Sequence, residues 1–182
     1  MGRATGLTGR LAADVDRAFP EFVLTYQDRL YSGVRSFVGA ADAEDVTQEA
    51  FIRAHKALQS YDEHRIEALQ VSAWLWTIAL NLCRNWVRTR SRRPQTVQLS
   101  FDRSGGEEAD DAAVEAVMLD AWKQRLAGLS EAQRVAVVLR HVVGLNYQEI
   151  AAATERPVGT TKTDVSRGLA ALRKTISEEG SP

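Results

Sequence analysis

Residues 73–93, AWLWTIALNLCRNWVRTRSRR, combine Trp74, Trp76 and Trp86 with Arg84, Arg88, Arg90, Arg92 and Arg93 and contain no acid. Guanidinium groups without internal carboxylates repel one another unless an anion lies close, and phosphate is the anion that matches their planar fork. Aromatic rings beside such a cationic stripe suit unpaired bases, which stack on them for about 1–3 kcal/mol each. The chemistry written into this segment is therefore recognition of a nucleic-acid strand, not the making or breaking of bonds.

Other reactive groups are sparse. The single cysteine, Cys83, rules out a disulfide framework and a multi-cysteine zinc site, and reads as a small buried residue. His55, His64 and His141 are scattered, and His55 follows Glu49 at a spacing that puts the two on different helix faces. We expect no catalytic residue, no metal and no cofactor. There is no apolar run of membrane-spanning length. The opening MGRATGLTGRLAADVDR lacks the apolar centre of a secretory signal. The expectation is a cytoplasmic protein without membrane insertion.

The elements that position these side chains read as helices. The chain has 182 residues, 45% hydrophobic and 26% charged, enough for one domain or two small ones. Abundant Ala, Leu, Arg, Glu and Gln favour helix, and no sustained alternation argues for strands. The net charge of −1 hides a strong asymmetry: Asp102, Glu107, Glu108, Asp110, Asp111, Glu115 and Asp120 follow the arginine run against a single Arg103. With Pro94 and the SGGEEADD stretch, this marks a flexible acidic linker at 94–111. The expected fold class is all-α: two small helical domains, an N-terminal helical bundle and a C-terminal helix-turn-helix, joined by that linker.

In the N-terminal domain, apolar residues Phe22, Val23, Tyr26, Leu30, Val34 and Phe37 predict a helix from Pro20 to about Val38, ended by Gly39. Asp42 is expected to cap the next helix, whose apolar face holds Val46, Ala50, Phe51, Ala54, Ala57 and Leu58. Asp45, Gln48, Glu49, Ile52 and Lys56 share its other face, where an apolar Ile52 among charges resembles a contact patch. Residues 59–72 read as a loop, and Ser72 as the cap of the arginine-rich helix. Leu75, Ile78, Ala79, Leu82 and Trp86 then line its core side, opposite a polar stripe of Thr77, Asn81, Arg84 and Arg88. Trp74 and Trp76 are placed nearer the boundary.

In the C-terminal domain, Ser130 with Gln133 and Asn146 with Glu149 have capping-box spacing. Gly144 separates the two helices they open, and a turn with Arg156 and Pro157 leads to a longer basic helix. Two helices joined by a tight turn, the second long and basic, fit a helix-turn-helix. Val165, Leu169, Leu172 and Ile176 are expected to be its buried face. Thr160, Thr163, Arg167 and Lys174 lie opposite, with Lys162 and Arg173 on the flanks, which suits base edges and phosphates in a major groove.

Three segments in this order, AEDVTQEAFIRAHKAL, AWLWTIALNLCRNWVRTRSRR and LSEAQRVAVVLRHVVGLNYQEIAAATERPVGTTKTDVSRGLAALRK, resemble bacterial RNA polymerase sigma factors of the extracytoplasmic-function (ECF) type in the sigma-70 family. The resemblance runs from about Phe19 to Ile176 and implies region 2 at 19–93 and region 4 at 112–178, with residues 1–18 as an N-terminal tail. It implies that Asp45, Gln48, Glu49 and Ile52 dock on the clamp of the polymerase's largest subunit. Trp74, Trp76, Thr77, Asn81, Arg84 and Arg88 would bind the minus-ten element, with the 59–72 loop holding a flipped base. Arg156, Thr160, Lys162, Thr163, Arg167 and Lys174 would bind the minus-thirty-five element, with region 4 on the flap of the second-largest subunit. The implied function is promoter recognition, DNA melting and transcription initiation, without enzymatic activity of its own, and an anti-sigma factor is an implied partner.

Three positions depart from the family pattern. Thr161 stands where an apolar packing residue is usual, Asp164 where an arginine is, and Leu80 where a basic side chain is common, which puts one backbone contact in doubt. A carboxylate beside phosphates repels them, so Asp164 predicts weak or unusual recognition of the upstream element. The alternative reading is a stand-alone helix-turn-helix regulator, which ordinarily dimerises on two half-sites.

Overall fold

In the computed structural model, residues 6–90, 122 and 124–179 are described. Among them every regular element is an α-helix: α1 (Leu7–Ala13), α2 (Val15–Val38), α3 (Ala40–Gln59), α4 (Glu63–Glu67), α5 (Val71–Arg90), α6 (Glu131–His141), α7 (Tyr147–Thr154) and α8 (Val158–Glu179). The expected acidic linker, Arg92, Arg93 and the expected start of the C-terminal domain at 112 lie outside the described residues.

Helix α2 starts before Pro20. The Asp14 carboxylate accepts the Arg17 amide at 3.0 Å and fixes the first turn, so Pro20 sits inside the helix. Pro20 is exposed, and the one backbone bond it forgoes leaves a carbonyl that water can reach. The segment read as a tail thus supplies α1, whose Leu11 is fully buried, and the opening of α2. Gly39, at φ 91°, ends α2 and caps α3, a conformation that favours glycine. Asp42 is therefore in the first turn of α3, not at its cap, and its carboxylate pairs with Arg90 at the far end of α5.

The 59–72 segment contains α4. Asp62 accepts the Arg65 amide at 2.8 Å, and Ile66 is buried beneath the turn. Ser72 falls within α5, where its hydroxyl lies 3.5 Å from the Tyr26 phenol, instead of capping the helix. Helices α2, α3 and α5 pack together as the N-terminal bundle, with α1 against α2 and α4. Phe22 sits at its centre, edge-on to Phe51 at 5.8 Å.

Both capping boxes of the C-terminal domain are formed: Ser130 with Gln133, and Asn146 with Glu149. Glu155, at φ 53°, turns the chain from α7 into α8. A Cβ on Gly168 would lie 2.6 Å from a Val137 methyl, so glycine lets α8 approach α6 closely. Val165 and Leu172 are buried and Leu169 partly so, whereas Ile176 is 47% exposed. The expected buried face thus stops short of Ile176, because α8 outruns the two short helices it packs on. Thr161 is buried, its hydroxyl satisfied by the Pro157 carbonyl at 3.2 Å.

The two domains touch. Helix α7 packs on α5, and α6 reaches α2. One hydrophobic core runs from Leu11 to Leu172 through both domains.

Candidate nucleic-acid and polymerase interfaces

On α3, Asp45, Gln48 and Ile52 are exposed and Glu49 half-buried, while Val46, Ala50, Phe51 and Ala54 face the core. Ile52 is 42% exposed, and Glu49 holds Arg53 at 2.7 Å one turn away. The result is an apolar side chain framed by polar ones on an otherwise solvated face, as the spacing predicts.

Helix α5 departs from the expected pattern. Trp76 is 2% exposed and Trp86 is 37% exposed, the reverse of the expectation that Trp86 was core and Trp76 boundary. The reason is a second buried sector: Trp76, Leu80 and Cys83 are covered in addition to Leu75, Ala79 and Leu82. Trp76 fills the space above Gly33, where a Cβ would come within 2.3 Å of the indole and 2.7 Å of Val143 from the other domain. Leu80 is thus a packing residue, which accounts for an apolar side chain where the family pattern is basic. Burial pushes the Cys83 thiol up to about 12, so it stays protonated and is no nucleophile.

Trp74 remains half-buried and meets Tyr61 edge-on at 6.2 Å, while the Arg65 guanidinium lies 3.7 Å over the other ring. Two aromatic rings and a cation thus gather where α4 meets α5. Sequence reading missed Tyr61 and Arg65; the signal available was an aromatic and an arginine in a polar segment, hidden because α4 is too short to show periodicity.

The polar stripe is present, but unevenly accessible. Asn81 and Arg88 are exposed, with Arg88 near Asn85 at 3.1 Å. Thr77 is half-buried and donates to the Ala73 carbonyl at 3.1 Å and the Ala153 carbonyl of α7 at 3.3 Å. Arg84 pairs with Glu131 of α6 at 2.8 Å.

The outward side of α8 is open. Lys162, Thr163, Arg167 and Lys174 are exposed and Thr160 is half-buried. Lys162 and Arg140 stand 5.7 and 5.1 Å from the Tyr147 ring. Arg156, in the turn before α8, pairs with Asp164 at 3.0 Å, and the Asp164 side chain is only 15% exposed. The carboxylate expected to repel phosphate is thus compensated within its own domain. Among the described residues no cluster of His, Cys, Asp and Glu could hold a metal, and no helix is long and apolar enough to cross a membrane.

Comparison with known proteins follows this division. Residues 22–93 match the Sigma-70 region 2 family and residues 119–172 the Sigma-70 region 4 family. The ECF RNA polymerase sigma-E factor of Escherichia coli K12 is 32% identical over 91% of this chain and 90% of its own length. The ECF sigma factor SigW of Bacillus subtilis is 32% identical over 88% and 90%. The solved structure of CnrH with the cytosolic domain of CnrY superposes with TM-score 0.72 at 26% identity, covering 96% of this chain and 97% of CnrH. The sigma factor RpoE of Bartonella quintana, solved with the anti-sigma factor NepR, shares the fold at TM-score 0.63 and 24% identity, over 87% of this chain and 96% of that one. Relatives aligned along nearly the whole chain, with the matched regions falling on the two helical domains described above, lead to one conclusion: this protein belongs to the ECF sigma factors of the sigma-70 family, alternative sigma factors that direct RNA polymerase to promoters.

Proposed function

We propose that three faces divide the work of initiation. The α3 face of Asp45, Gln48, Glu49 and Ile52 docks on the clamp of the polymerase's largest subunit. The observation that carries this is Ile52, an apolar side chain left 42% exposed among charged neighbours on a helix whose opposite side is fully used by the core.

Asn81, Arg84 and Arg88, with the Tyr61–Trp74–Arg65 cluster, receive the opened minus-ten strand. Extruding a base takes a few kcal/mol, which stacking on Trp74 and Tyr61 and cation contacts offset. Trp76 supports this surface from beneath instead of stacking on bases. Thr160, Lys162, Thr163, Arg167 and Lys174 enter the major groove of the minus-thirty-five element, with Arg156 at the edge, while region 4 rests on the flap of the second-largest subunit. The protein works in the cytoplasm, where promoters and polymerase are. An anti-sigma partner is supported by the RpoE relative, which was solved with one.

The test is capture of sigma-free core polymerase. Ile52→Lys is expected to lose capture while keeping the wild-type helical spectrum, and Lys56→Ala to retain it. Undiminished capture by Ile52→Lys sinks the clamp assignment.

A further inference from the structure

The segment ahead of residue 22, where the match to region 2 begins, carries none of the side chains proposed to touch polymerase or DNA. Its contacts nevertheless converge on the elements that present Tyr61 and Arg65. We propose that residues 7–21 are a positioning brace for strand capture. They hold the end of α3 and the inner side of α4, and so set the Tyr61–Trp74–Arg65 cluster where an unpaired base can stack. This rests on the reading of that cluster as part of the strand-binding surface.

Three sets of contacts build the brace. Helix α1 packs on both α2 and α4. Leu11 of α1 and Ile66 of α4 are buried in the one core, so α4 is anchored on its inner side while Arg65, next to Ile66, stays exposed. Arg10 then fastens α1 to α2 by a two-pronged pair with Glu21, Nε to Oε2 at 2.9 Å and Nη2 to Oε1 at 2.5 Å. Finally, the first turns of α2 reach the last turns of α3. Asp16 Oδ1 accepts from Gln59 Nε2 at 3.0 Å and lies 2.9 Å from His55 Nε2, and Phe19 meets the His55 ring edge-on at 4.5 Å. Tyr61 comes two residues after Gln59, its amide bonded to the Leu58 carbonyl at 3.1 Å, so its ring hangs from the helix end that Asp16 and Phe19 hold.

The size of α4 is the reason a brace is needed. A helix of five residues has too few internal hydrogen bonds to keep its own shape. Yet two rings and a cation receive a base only while they keep their spacing, with Tyr61 6.2 Å from Trp74 and the Arg65 guanidinium 3.7 Å over the Tyr61 ring. Trp74 is fixed by α5 and the bundle beneath it. The Tyr61–Arg65 half of the cluster depends on what packs against α4, and that is α1.

The test uses holoenzyme and a fluorescent non-template oligonucleotide that spans the minus-ten element of a promoter mapped with this protein. Leu11→Ala, which thins the buried face of α1, is expected to capture core polymerase like wild type and to bind the oligonucleotide about fivefold more weakly, a part of what stacking supplies. Leu11→Met refills the space and is expected to restore binding. With Tyr61→Ala/Arg65→Ala already in place, Leu11→Ala is expected to cost nothing further, because a brace acts only through the cluster it positions. If Leu11→Ala no longer captures core, the pair of exposed residues decides. Arg10→Glu sets like charges together and is expected to weaken strand binding, and the swap Arg10→Glu/Glu21→Arg to restore it; wild-type affinity in Arg10→Glu then overturns the brace. Wild-type affinity in a Leu11→Ala holoenzyme overturns it too, as does a loss that persists in full once the cluster is removed. Wild-type affinity in Tyr61→Ala/Arg65→Ala overturns the reading of the cluster itself, and the brace with it.

Discussion

The outer face of α8 and the polar stripe of α5 are made of similar material, hydroxyls, amides and cations at helical spacing, but they sit in different surroundings. Lys162, Thr163, Arg167 and Lys174 point into solvent, and α8 is packed only along its opposite side. On α5 the equivalent residues share the helix with a second buried sector, and two of them, Thr77 and Arg84, bond to the other domain. Residue type and period tell what a face can touch. What a second body leaves uncovered decides when it can do so. The face of α8 proposed to read duplex is open, whereas two residues of the stripe proposed to receive the strand are engaged by the other domain.

The sharpest way to break this comparison is Trp76→Ala. A buried tryptophan packed on Gly33 is worth about 3–5 kcal/mol of stability, so denaturant melting is expected to show a loss of that size, against a much smaller one for Trp86→Ala. Wild-type stability in Trp76→Ala with weakened strand binding returns that residue to the surface. Next, Arg167→Ala is expected to weaken duplex binding of the upstream element by about 1–3 kcal/mol if it reads a base edge. Adding Glu131→Arg, which breaks the pair with Arg84, is expected to leave that loss unchanged, since Arg167 stands exposed on the outward face of α8. A loss that depends on Glu131, measured by duplex titration, joins the two faces and ends the contrast.

Smaller effects refine it. Burial raises the Cys83 thiol from 9.0 to about 12. The unfolded chain therefore releases this proton before the folded one, and the stability it provides is complete below about pH 9 and lost as pH rises toward 12. Cys83→Ala is expected to flatten that alkaline slope in pH-dependent melts; an unchanged slope places the thiol in contact with water. Smallest is Asp164→Asn. Because the carboxylate answers Arg156 and is mostly covered, upstream-duplex affinity is expected to stay within about threefold and the salt dependence nearly constant. A tenfold rise brings back simple repulsion of phosphate.

Much of this molecule could be read from residue order. The two capping boxes, the breaks at Gly39 and Gly144, the apolar face of α3 and the outward cations of α8 all follow from local rules that tertiary packing respects. Where reading failed, a contact from elsewhere in the chain had intervened. Asp14 outcompeted Pro20 as a helix start because a carboxylate can accept an amide that proline's ring merely tolerates losing. Trp76 and Trp86 exchanged places because Gly33 and Val143, distant in sequence, create a second wall for α5. Tyr61 and Arg65 escape detection because Tyr61 lies in the turn between α3 and α4, and the five-residue α4 that carries Arg65 has no period to detect. Asp164, whose carboxylate is expected to repel phosphate, pairs with Arg156 from the turn before α8, a contact that its position in the sequence does not reveal.

The central claim is that this chain gives RNA polymerase its choice of promoter. The most direct measurement adds the purified protein to sigma-free core polymerase with fragmented genomic DNA and maps the 5′ ends of the transcripts. Discrete start sites that share two upstream elements, and vanish without the protein, are the predicted result. Start sites no different from those of core alone, with the same polymerase responding to a control sigma factor, contradict it.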